Sequence, residues 1–112
     1  MDVTREQVDE SVLLVISGQI DMYSSPELRG ELKVALAGNP GRVVVDMEHV
    51  SFIDSSGLAT LIEALQKMRQ YRGQLRLCNL SAPVRGVFEL SNLDQLFEIR
   101  SSREEALQDD AA

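Results

Sequence analysis

Asp54-Ser55-Ser56-Gly57 is the stretch of this chain best equipped for chemistry. A short apolar run, Phe52-Ile53, breaks at an acid, two hydroxyls and a glycine, and an amphipathic segment follows at once. That order puts the serines at the start of a helix, where free N–H groups and a positive dipole end favour negative charge. A serine held there can cap the helix, act as a nucleophile or take a phosphoryl group. On residue types alone, Ser55 or Asp54 can supply the cap, with Ser56 filling the first turn.

The nucleophile reading needs a base. The single histidine, His49, precedes Ser56 by only seven residues on the chain entering the same turn. No G-x-S-x-G elbow occurs, and neither G-x-x-x-x-G-K-[ST] nor G-x-G-x-x-G is present to hold phosphates. His49 and the single cysteine, Cys78, cannot build a zinc site by themselves, and no calcium-loop pattern appears. No metal or cofactor is expected, and no enzyme activity. His49 reads as an exposed loop residue. Cys78 reads as a small packing residue of a strand, with no histidine or lysine nearby to activate it. Asp21 and Asp54 are a separate pair. Each follows a predicted strand, so parallel neighbouring strands would bring both acids to one carboxyl edge, where α/β sheets gather binding sites. Two loop acids serving as turn formers are the plainer alternative.

Composition narrows the partners. The chain has 112 residues, 44% hydrophobic and 26% charged, with a net charge of -7. One domain of this size buries roughly two-thirds of its unfolded surface, enough for a core without metals or disulfides. The acidic balance disfavours nucleic acid and anionic membrane surfaces, and suits a basic protein partner. The longest aliphatic run, Val12 to Ile16, is far too short to span a bilayer. Asp2, Arg5 and Glu6 stand where a signal peptide would be apolar, so the cytoplasm is the expected location.

The elements that must position these residues follow from periodicity. Residues 3–8 and 12–20 read as a hairpin across Asp9-Glu10-Ser11. Ser25 is the expected N-cap of a first helix, with Pro26 at its first position and Leu28, Leu32, Ala35 and Leu36 on one face. Gly38-Asn39-Pro40-Gly41 stops it. Val43-Val44-Val45 is a buried strand, and Asp46 to Ser51 reads as the connection to the serine motif. Leu58, Leu61, Ile62, Leu65 and Met68 mark the second helix, ended by Gly73. A strand at 75–78, a helix from Ser81 with Val84, Val87 and Phe88 inward, and a short edge strand near Ile99 follow. Ser102-Arg103-Glu104-Glu105 resembles a capping box opening a last helix. The expected class is α/β: a mixed, mostly parallel sheet of four to five strands, an N-terminal antiparallel hairpin and about four helices. Residues 1–112 form one domain, with an ordered core over 3–108 and a frayed tail at 109–112.

Several blocks together resemble one family. Gly18-Gln19-Ile20-Asp21 precedes the first helix, and Val43-Val44-Val45-Asp46 leads to Phe52-Ile53-Asp54-Ser55-Ser56-Gly57-Leu58. Gly73 to Asn79, Val84 to Leu90 and Leu93-Asp94-Gln95-Leu96-Phe97 complete the pattern over roughly residues 3–108. The chain is similar to the STAS domain, and most to the bacterial anti-sigma factor antagonists. The resemblance implies a cytosolic regulator that binds an anti-sigma factor, itself a serine kinase, and so frees a sigma factor. It implies that the kinase phosphorylates the second motif serine, Ser56, and that a metal-dependent serine phosphatase reverses this. Asp21, Met22, Tyr23, Ser24, Asp54, Ser55, Ser56, Gly57 and Leu58 are the expected partner-binding residues. The alternative within the family is a STAS scaffold, or an accessory subunit of a signalling or lipid-transport assembly, without the switch.

Overall fold

The computed structural model describes residues 1–109. In chain order the elements are β1 (Asp2–Val8), β2 (Ser11–Ile20), α1 (Ser25–Leu36), β3 (Arg42–Ile53), α2 (Ser55–Gln70), β4 (Gln74–Cys78), α3 (Ala82–Leu90), a 3-10 turn (Leu93–Gln95), β5 (Glu98–Arg100) and α4 (Arg103–Leu107). The five strands form one sheet in the order β1-β2-β3-β4-β5. β1 and β2 pair antiparallel, and the three remaining pairs are parallel. Leu14 lies beside Val45, and Val45 beside Leu77. The expected α/β class, hairpin and helix number are all observed.

Period-two alternation divides the apolar residues between two faces. Leu14, Ile16, Val43, Val45 and Leu77 pack with Leu28, Leu32, Leu61, Leu65 and Phe88 in the main core, which α1, α2 and α3 cover. Phe88 meets Phe97 edge-to-face with ring centroids 5.6 Å apart. The opposite face carries a smaller cluster, Leu13, Val44 and Cys78, covered by Ala106 of α4. Among the described residues no helix is long and apolar enough to cross a membrane.

Three local expectations are corrected. Asp46 to Ser51 is not a connection but the second half of β3. Its period is broken because β3 carries extra residues opposite Val15–Ser17 and Gly18–Gln19. Such bulges twist a strand and re-aim its end. They leave Asp46 and Met47, adjacent in sequence, both buried. His49 is therefore an exposed strand residue rather than a loop residue. The cap of α1 is Ser24, not Ser25, which is buried. α2 runs to Gln70, three positions before the expected stop at Gly73, and Arg72 between them is left-handed, with φ 64°.

Three arginines fasten α4 to the sheet. Arg76 is fully buried; it donates to Glu98 at 2.8 Å and to the carbonyls of Ala106 and Gln108 at 3.0 and 2.6 Å. Arg103 donates twice to the buried Asp46, at 3.0 and 2.8 Å. Arg42 donates to the Leu107 carbonyl at 3.0 Å and to the Asp109 carboxylate at 3.1 Å. Cations at a helix C-terminus satisfy carbonyls that have no partner within the helix. Of the expected tail 109–112, Asp109 is held by this contact, and 110–112 lie outside the described residues.

Candidate functional site

β2 and β3 run parallel, so both end at one edge of the sheet. There the Asp54 N–H donates to the Ile20 carbonyl at 3.0 Å, and the Met22 N–H donates to Asp54 Oδ2 at 3.1 Å. These two bonds fasten the loop after β2 to the turn after β3. The loop is also tied within itself. Asp21 Oδ1 accepts from the N–H groups of Tyr23 and Ser24 at 2.9 and 3.0 Å. The Ser24 hydroxyl donates to the Gln19 carbonyl at 2.9 Å. The turns that carry Asp21 and Asp54 are thus joined by one backbone bond and by the Asp54 carboxylate, with each acid also shaping its own turn.

Asp54 is the N-cap of α2. Its backbone is extended, and its Oδ1 accepts from the N–H groups of Ser56 and Gly57 at 2.9 and 3.2 Å. The Ser56 hydroxyl donates to the same oxygen at 2.6 Å. A carboxylate can only accept, so the hydroxyl proton points at Asp54 and the serine lone pairs remain for other partners. The Ser56 hydroxyl holds the Asp54 carboxyl below the usual aspartate range. Partial burial opposes this, and the N–H groups of Gly57, Ser56 and Met22 add to it. Between the two capping candidates, the cap is Asp54. Ser55 sits exposed at the first helical position, and Ser56 is half-buried at the second.

The surroundings are apolar and open. Met22 is 65% exposed, Tyr23 86% and Phe52 47%. Phe52 lies outside the expected partner-binding residues, yet its side chain is open to solvent. Strand alternation could have found it, because its neighbour Ile53 points into the core.

Two expected contact residues face the other way. Leu58 belongs to the main core. Gly57 is buried, and a Cβ there would lie 2.6 Å from Ile20 Cγ2 and 2.8 Å from Ile53 Cγ1. Its smallness lets α2 sit close on the ends of β2 and β3, rather than admitting a partner's backbone. Asp21, Met22, Tyr23, Ser24, Asp54, Ser55 and Ser56 are gathered at the edge.

The remaining candidates for chemistry are elsewhere. His49 pairs with Ser17 along the strand, with its side chain 4.0 Å from Glu48. The Cys78 thiol is buried, and burial together with the nearby Asp46 charge pushes it up to about 12. It stays protonated near neutral pH and is a poor nucleophile. What the edge offers is the Ser56 hydroxyl, oriented by a carboxylate, beside the exposed Met22, Tyr23 and Phe52.

Known proteins resemble this chain in sequence and in fold. The family model for the STAS domain matches residues 2–106. The anti-sigma-B factor antagonist of Bacillus subtilis is 30% identical over 108 residues, covering 96% of this chain and 98% of its own. The crystal structure of an anti-sigma factor antagonist from Mycobacterium paratuberculosis superposes with a TM-score of 0.87 at 26% identity, covering 95% of this chain and 90% of that one. The Bacillus cell fate determinant SpoIIAA, solved in its phosphorylated form, gives a TM-score of 0.73 at 26% identity, covering 95% of this chain and 96% of its own.

Proposed function

The chain belongs to the STAS domain family, alongside the anti-sigma factor antagonists, and on that premise we propose that it binds an anti-sigma factor and is switched off by phosphorylation of Ser56. The partner is then a serine kinase as well as an anti-sigma factor, and its capture releases a sigma factor. A metal-dependent serine phosphatase resets the switch. The protein acts by binding, in the cytoplasm, and has no catalytic residues of its own.

The observation that carries this reading is the Ser56 hydroxyl, held at 2.6 Å by Asp54 amid exposed Met22, Tyr23 and Phe52. The exposed apolar side chains supply contact area for a partner. The hydroxyl sits where added charge would act on that contact. A phosphoserine brings about -1.5 to -2 charge near neutral pH. It would also lose the hydroxyl proton now given to Asp54, turning an attraction into a repulsion between like charges. The α2 N-terminus offsets part of that charge, so the domain need not unfold. An interface that must accept new charge and bulk loses affinity instead. A cost of about 3 to 4 kcal/mol weakens binding by roughly two to three orders of magnitude.

The test uses the cognate kinase and ATP. Wild-type protein is expected to gain one phosphoryl group at Ser56, read by mass spectrometry, while Ser56→Ala gains none yet still binds. Ser56→Asp is expected to bind more weakly than Ser56→Ala in calorimetry, and less weakly than the phosphorylated form. An unmodified Ser56 after incubation with an active kinase refutes the switch.

A further inference from the structure

We propose that the groove between α1 and α2 is a binding site for a small anionic amphiphile, a carboxylate on an aliphatic chain. The groove has a volume of 360 Å³, within the roughly 300–1,000 Å³ typical of small-ligand sites. Leu32, Leu36 and Ala64 contribute its apolar lining, and Arg29, Lys33 and Lys67 its cations.

Among the described residues Glu63 is the only acid that lines it. Its Oε2 accepts from Arg29 at 3.2 Å, and its Oε1 accepts from Lys67 at 3.3 Å. Arg29, then Lys67, holds the Glu63 carboxyl below the usual glutamate range. It therefore stays ionised and acts as a strut that draws one cation from each helix toward the groove. Together these three side chains leave one positive charge in excess, and Lys33 adds a second.

Lys33 has no hydrogen bond or ion pair among the described residues. It follows Arg29 by four positions on α1, a spacing at which like charges repel. A chain with net charge -7 thus concentrates a surplus of positive charge in one groove. Among the described residues, none that lines the groove compensates that surplus. An anion headgroup supplies the countercharge, and leucine and alanine methyls fit an aliphatic body. The Tyr71 hydroxyl, also at the groove, is already committed to the Pro40 carbonyl at 2.9 Å, so the headgroup is held by the cations.

The test titrates the full chain with decanoate below its micelle concentration and follows backbone amide NMR shifts. Saturable shifts are expected over residues 29–37 and 60–71, with Kd below about 1 mM. Acetate shares the headgroup and lacks the tail; decyltrimethylammonium shares the tail and reverses the charge. Both are expected to bind at least about tenfold more weakly. Lys33→Glu combined with Lys67→Glu is expected to weaken decanoate binding by about tenfold or more. Lys33→Gln alone, at an exposed position, shows a smaller loss in a fold that cannot be in question. No saturable shift, equal binding of the cationic analogue, full affinity in Lys33→Gln and the double variant, or shifts centred on Met22, Tyr23 and Phe52 would each overturn the proposal.

Discussion

Two helix ends in this molecule are finished with charge, and they are finished differently. At the start of α2, one carboxylate, Asp54, gathers the N–H groups of Ser56 and Gly57, the Ser56 hydroxyl and the Met22 N–H. At the end of α4, buried Arg76 and half-buried Arg42 gather carbonyl oxygens, and Arg103 anchors the helix to buried Asp46. Both satisfy groups that a helix cannot pair internally. The α2 end stays open to solvent, with exposed Ser55, Met22 and Tyr23 beside it. The α4 end is clasped to the sheet by arginines, with Gln108 and Asp109 exposed just beyond it. A site that can be chemically altered needs an accessible atom and a tolerant frame, whereas a clasp needs neither.

The contrast predicts a graded series of losses. Arg76→Met should be the largest, about 3 kcal/mol, because it strands carbonyls that the buried guanidinium now satisfies. Urea unfolding measures the loss, and hydrogen exchange should show α4 losing protection first. Gly57→Ala should follow at about 1 to 3 kcal/mol, since its methyl overlaps Ile20 and Ile53. Asp54→Ala should cost about 1 kcal/mol, while Asp54→Asn, still a good cap, should keep most of that. If Asp54→Ala proves costlier than Arg76→Met, the two ends have been ranked the wrong way round.

The smallest effect is in pH. The folded Asp54 carboxyl lies below its ordinary range, so its contribution is full above roughly pH 3.9 and is lost as pH falls through the lower folded value. Urea midpoints at neutral and acid pH should show wild type converging on Asp54→Asn as pH drops. A difference that grows in acid would contradict the sign.

What could be read from the sequence divides along the same line. The Ser56 edge is built from near neighbours: an acid, two serines, a glycine and an amphipathic run. Local chemistry announced the helix start, and the parallel strands brought Asp21 beside it. Gly57 was legible as small but not as inward-facing, because that depends on Ile20 arriving from another strand. The clasp was not legible at all. Arg42, Arg76 and Arg103 are scattered along the chain, and nothing local marks a buried arginine. For the same reason the full length of β3 is hidden in the sequence: Asp46 looks like a strand end until Arg103, 57 residues away, neutralises it. Ser24 and Ser25, adjacent serines before a proline, look alike in sequence, and only the packing that buries Ser25 tells them apart.

The strand order of the sheet follows the order of the chain. Each strand can therefore add beside one already present as the chain leaves the ribosome, and few large loops must close early. The arginine clasp is the exception. Arg42 must wait for Leu107 and Asp109, 65 and 67 residues later. The growing chain would thus build the Ser56 edge by the time β4 emerges, and fasten the reverse face of the sheet only after α4 has followed.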